Sequence, residues 1–154
     1  MKRTLAFLLL VSLLLFSASS ALANGAETFT QTFHNVTETL PDINECTGDP
    51  GNVTITYNGV IHTTATPNGG FHLTGTFTGD FVFVPLDPAL PTASGKFTQW
   101  FGDNFNQKNE THTFTFTVHG TTADGTDFQW HITAHISTNA NGEVTVDFFK
   151  INCK

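Results

Sequence analysis

The stretch THTFTFTVHG, Thr111 to Gly120, alternates threonine with apolar residues, and the same two-residue period recurs along much of the chain. A strand turns successive side chains to opposite faces, so this pattern writes one apolar face and one hydroxyl-bearing face. A helix would scatter both kinds around its circumference. No segment of useful length repeats apolar residues at helical spacing, and threonine and phenylalanine both favour strands. The chain is therefore expected to be all-β.

Three turns share one grammar: Pro67-Asn68-Gly69, Ala123-Asp124-Gly125 and Ala140-Asn141-Gly142. Each suits a three-residue hairpin loop whose glycine takes the left-handed conformation, and such a loop fixes the cross-strand register. The first predicts Val53 opposite Phe83, Ile55 opposite Phe81, Tyr57 opposite Gly79 and Ile61 opposite Gly75. The second predicts Phe114 opposite Ala134, Phe116 opposite Ile132 and Val118 opposite Trp130. The third predicts Ala134 opposite Phe148, Ile136 opposite Val146, and His135 beside Asp147. Apolar residues then meet apolar residues or glycine, while the threonines and most histidines share the other face.

Further strands at Glu27–His34 and Gly95–Phe101 bring the expected total to at least seven. Gly59, Gly75 and Gly79 sit on the apolar face of the longest hairpin, where missing side chains let a sheet coil tightly. The predicted fold is a single antiparallel up-and-down β-barrel of about seven to eight strands, with an apolar interior and a threonine-rich exterior. The inverted barrel, with phenylalanines outward, is stable only in lipid, and one Tyr and two Trp are too few for its aromatic girdles.

Residues 1–23 read as a secretory signal: Lys2 and Arg3 open it, an apolar run follows from Leu5 to Phe16, and Ala21-Leu22-Ala23 matches a cleavage site. That run has 12 residues, short of the roughly 20 that span a bilayer. The expected organisation is a signal peptide over 1–23 and a single β-barrel domain over 24–154, secreted and without a membrane span in the mature chain. Cys46 and Cys153 would meet an oxidising compartment and form the one disulfide open to them, at the seam where the barrel closes. The mature chain keeps four lysines and no arginine against 13 acidic residues, a formal charge of −9. Nucleic acids and anionic lipid surfaces recruit Lys and Arg, so neither is an expected partner.

The inward parity also carries Gln31, Tyr57, Gln99 and His112. Either these polar groups bond to one another in a filled barrel, or they converge on a ligand. Tyr57, Gln99, His112 and Trp130 are the side chains expected to contact a small apolar or amphipathic ligand. One alternative is a cyclase or isomerase with His112 as the acid–base group; another is an extracellular interaction or structural module that uses the outer wall. No cofactor or metal is implied. His131 and His135 would make a zinc pair on a helix, but on a strand they lie about 13 Å apart. His62 and His72 are diagonal neighbours, and two ligands alone hold a metal weakly. No G-x-S-x-G, phosphate loop, H-E-x-x-H or EF-hand loop assigns a catalytic residue, so enzyme status and oligomeric state stay open.

The run NECTGDPGNVTITYNGVIHTTATPNGGFHLTGTFTGDF, followed by GKFTQWFGDN and a terminal cysteine strand, resembles a group of small exported bacterial all-β proteins of unassigned function. The resemblance covers most of the mature chain and implies an exported all-β protein. In general shape the expected barrel is also similar to lipocalin-like and allene-oxide-cyclase-like folds, which implies no shared activity.

Overall fold

The computed structural model describes residues 25–106 and 108–154, and the expected signal peptide, 1–23, lies outside them. Seven strands follow one another: β1 (Glu27–Ile43), β2 (Pro50–Ala65), β3 (Phe71–Pro85), β4 (Ala93–Phe105), β5 (Asn109–Thr122), β6 (Asp127–Asn139) and β7 (Val144–Cys153). They form one antiparallel meander in which every strand pairs with its chain neighbours. β1 and β4 run beyond the segments expected from sequence.

The three turns behave as their residues require. Gly69, Gly125 and Gly142 have φ of 75°, 88° and 77°. Each loop closes with the same two backbone bonds; in the first, Thr66 N donates to Gly70 O (2.8 Å) and Gly69 N to Thr66 O (3.0 Å). The β2–β3 and β5–β6 registers are the expected ones, Ile55 facing Phe81 and Phe116 facing Ile132.

The third hairpin differs. Its turn starts the expected register, with Thr138 facing Val144, but the pairing then slips by one residue. Ala134 faces Phe149 rather than Phe148, Ile136 faces Asp147 rather than Val146, and His135 faces Phe148 rather than Asp147. The extra residue is Thr145, whose hydroxyl donates to Ser137 O at 3.1 Å and so occupies a carbonyl at the break. The slip has a packing reason. Without it Lys150 and Asn152 would point inward beside Ile132 and Trp130; with it Ile151 and Cys153 do.

A second bulge, at His34 and Asn35 in β1, has the same effect on parity. Asn35 takes a left-handed φ of 49°, a conformation asparagine tolerates better than most residues. Its backbone N donates to Asn58 Oδ1 at 3.0 Å. Phe29 and Phe33 face inward before the bulge, and Val36, Glu38 and Leu40 after it.

The sheet is curled but not closed. Phe81 of β3 reaches Phe128 of β6, ring centroids 6.3 Å apart, and Phe33 of β1 reaches Phe77 of β3 at 5.4 Å. Yet β1 and β7 do not pair, and the order simply ends at each of them. Consecutive antiparallel strands, odd in number, leave these two edges running parallel, so the hydrogen-bond pattern of the meander cannot continue across the seam. Instead Cys46, in the β1–β2 loop, bonds to Cys153 at the end of β7, Cα atoms 5.9 Å apart. Asn44 shapes that loop, its Oδ1 accepting from Cys46 N at 3.0 Å.

Burial along the apolar, concave face is graded. At the disulfide end Val53, Phe81, Phe83, Ala93, Phe97 and Val118 form the buried core. Glycines permit the curl there: a Cβ built on Gly95 would lie 2.1 Å from His119 O, and one on Gly79 2.2 Å from Thr56 O. Past the middle Ile61 and Phe101 are buried as well, and only at the far rim is the same face open, with Phe29 58 % and Phe105 50 % exposed.

Candidate functional site

Three of the four side chains expected at a ligand site share one belt across the middle of the concave face. Tyr57 of β2 meets Phe77 of β3 edge to face, centroids 5.2 Å apart. Gln99 of β4 lies directly opposite Phe77 on one side and Phe116 of β5 on the other. Phe116 in turn meets Trp130 of β6 at 5.3 Å. The belt thus runs Tyr57, Phe77, Gln99, Phe116, Trp130 across consecutive strands, because inward positions on a curled sheet stay adjacent from strand to strand.

Its polar groups differ in how they are satisfied. The Tyr57 hydroxyl donates to Glu38 Oε1 at 3.1 Å. Burial first, then the hydrogen bond and negative charge of Glu38, push the phenol up to about 12. Among the described residues the Gln99 amide has no side-chain partner, although it sits between two phenyl rings. Trp130 packs against the core cluster and faces Cys153 across the β6–β7 pairing.

His112 is not part of this belt. It lies four residues from Phe116 on the same strand, about 13 Å away, toward the far end. There Nδ1 lies 2.9 Å from Asp103 Oδ1 and Nε2 2.7 Å from Glu110 Oε1. Burial alone would lower its proton affinity, but the hydrogen bonds and charges of Asp103 and Glu110 outweigh that and raise it. Carboxylates on both ring nitrogens favour the imidazolium, which donates at both.

The outer histidines have quieter roles. His62 bonds Thr30 across β1 and β2 (2.9 Å), and His135 bonds Thr113 across β5 and β6 (2.8 Å). His131 lies between Thr117 (2.7 Å) and Thr133 (3.0 Å). Among the described residues no group of three His, Cys, Asp or Glu side chains could hold a metal ion.

Two open depressions, about 600 and 550 Å³, lie at the disulfide end, one beside His131 and Lys154, the other around Lys96, His119 and Asp127. Neither is lined by a residue of the belt, although Gln129 and His131, the chain neighbours of Trp130, line the first.

Glu38, Asp103 and Glu110 were not anticipated as parts of these clusters. Glu110 stands two residues before His112, which on a strand places both on one face. Asp103 follows from the β4–β5 register, in which it faces His112. Glu38 turns inward only because of the bulge at Asn35; the three-residue step from Phe33 to Val36, where two is the rule, is its trace in the sequence.

Fold and site together define an all-β chain of seven antiparallel strands, disulfide-stapled, with an aromatic concave face. No protein-family model, curated protein or solved structure matches it. Among the described residues no helix is long and apolar enough to cross a membrane.

Proposed function

We propose that the protein is exported and binds a small amphipathic ligand on its concave face, entering from the far end. The burial gradient carries this reading. One continuous apolar face is closed at the disulfide end, where Phe97 is 5 % and Val118 1 % exposed, and open at the other, where Phe29 and Phe105 are half exposed or more. Soluble chains seldom leave aromatic side chains open at the mouth of a concave surface without use for them. The unpartnered Gln99 amide and the Tyr57–Glu38 pair offer polar contacts within aromatic walls, which suits a ligand with one polar group. Closure into a full barrel belongs to the same proposal: an occupied trough would draw β1 and β7 together around the ligand. The disulfide fits an oxidising destination, as export requires.

The acid–base alternative centred on His112 has less support. Both of its ring nitrogens are already engaged, so a substrate would first have to displace Asp103 or Glu110.

Titration with N-phenyl-1-naphthylamine, a neutral fluorescent apolar amine, tests the binding. Saturable one-site binding is expected, and the double variant F29S/F105S, altered only at exposed positions, should weaken it at least tenfold. Non-saturable uptake, or equal binding by the variant, overturns the proposal. N-terminal sequencing of the protein made in cells should begin near Asn24 and most of it should be recovered outside the cytoplasm; cytoplasmic protein that keeps residues 1–23 overturns export.

A further inference from the structure

Trp100 lies on the opposite, convex wall, where it is 40 % exposed. It stands between Thr76 of β3 and Thr115 of β5. The indole leans along its own strand over Gly102: a Cβ built at residue 102 would lie 2.9 Å from Trp100 Cη2 and 3.2 Å from Cζ2. Any larger residue at 102 would lift the ring off the wall, whereas glycine seats it against the sheet.

The surroundings of this ring differ from the rest of the wall. Between β1 and β2 threonine hydroxyls bond to each other, as in Thr37 with Thr56 and Thr39 with Thr54, both at 2.8 Å, and on β5 and β6 Thr113 and Thr117 bond His135 and His131. Among the described residues the hydroxyls of Thr74, Thr76, Thr98 and Thr115 have no such partner. Charge is also absent from this face: the nearest charged side chains on the convex wall of these strands, Asp80 and Lys96, lie two rows toward the disulfide end and neutralise each other at 2.8 Å.

We infer that Trp100 and the threonines around it form a second binding site, for a neutral saccharide. A pyranose ring presents a patch of C–H groups that stacks on an indole, and around it hydroxyls that exchange hydrogen bonds with threonine. That combination of one apolar plane and a rim of uncharged donors and acceptors is what this patch offers. Nucleic-acid bases also stack on tryptophan, but their phosphates would meet no lysine or arginine here and a chain of net charge −7. The site is flat, so one sugar should bind weakly, on the order of millimolar, and a polymer more tightly by engaging several rings or copies. This inference does not depend on the concave face holding a ligand.

Affinity electrophoresis in gels containing laminarin, soluble starch or hydroxyethylcellulose tests it, with heparin as the anionic comparison. Retardation by at least one neutral glycan is expected. W100A should reduce it at least tenfold, and T76V/T115V, which keeps the indole and removes two hydroxyls, should reduce it severalfold at unchanged melting temperature. Replacing Trp130 by Phe should leave it intact. Failure of all three neutral glycans to retard the protein overturns the inference, as does retention of full binding by W100A and T76V/T115V, or salt-sensitive binding to heparin alone.

Discussion

His112 Nδ1 lies 2.9 Å from Asp103 Oδ1, so the imidazole ties β5 to β4 at the end of the sheet that the disulfide does not hold. Glu110 holds the other ring nitrogen from two residues away on the same strand. The folded-state proton affinity of His112 is raised above that of an ordinary histidine. Below the ordinary value of 6.5 the ring is charged in the folded and unfolded chain alike, and the two bonds contribute in full. As pH rises through the folded-state value that contribution is lost. Because the ring is 44 % exposed, solvent screens it, and about 1 kcal/mol is expected for the pair of bonds. Urea unfolding of wild type and H112Q at pH 5.5 and pH 9 should show that gap at the lower pH and its closure at the higher. A gap that is the same at both values would contradict the imidazolium clasp.

The disulfide joins residues 107 apart in sequence, which makes the loop it closes nearly the whole domain. In the chain-entropy account a loop of this length restrains the unfolded chain by about 4 to 5 kcal/mol. The double variant C46S/C153S should lose a stability of that order in guanidinium unfolding. It should also lose it unevenly. β1 and β7 each have one strand neighbour only, so their amides should exchange first in the variant while those of β3 to β5 stay protected. Uniform loss of protection would mean that the bond stabilises the sheet as a whole rather than its seam.

Gly79 and Gly95 allow the curl that brings β3 onto β6. A methyl group at either position meets backbone rather than a movable side chain, so the strands themselves must separate. G79A and G95A should each cost about 3 kcal/mol, whereas G25A, with open space around it, should change nothing measurable. Thermal melts of the three variants decide this. Equal melting temperatures would show that the sheet has freedom to flatten.

How far the sequence could be read follows from where information is local. Threonine–phenylalanine alternation and the left-handed glycines at 69 and 125 set two hairpin registers, because each turn rigidly dictates the pairs that follow. The third turn is as well formed, yet β7 departs from it after one pair, since Thr145 bulges to turn Ile151 and Cys153 inward. That choice answers to Trp130 and to Cys46, more than a hundred residues from Cys153, and no local pattern encodes it. The missing closure is of the same kind: whether β1 meets β7 depends on the summed twist of the entire sheet. Of the site, Tyr57, Gln99 and Trp130 were legible as one inward set from parity alone. The separation of His112 from them was legible too, in the four residues between it and Phe116, but its carboxylate partners required the β4–β5 register.

Tyr57 is the single tyrosine of the chain, so its ionisation can be read directly from absorbance near 295 nm. Burial and the adjacent Glu38 carboxylate push it up to about 12. Glu38 is inward only because Asn35 bulges β1, which makes the titration a report on the bulge as well as on the pair. Measured by rapid pH jump, before alkaline unfolding, wild type should titrate near 12 and E38Q lower, though still above the ordinary value of 10 because burial remains. N35G should keep the wild-type titration, since glycine accepts a positive φ. N35V, whose branched side chain resists the left-handed backbone, should lose about 1 to 2 kcal/mol of stability. Deleting Asn35 should also leave the phenol near 12, because removing the extra residue restores the two-residue step from Phe33 to Val36 and keeps Glu38 inward opposite Ile55. If E38Q leaves the phenol near 12, Glu38 contributes nothing to raising it; if the deletion moves it toward 10, the inward course of β1 beyond the bulge is wrong.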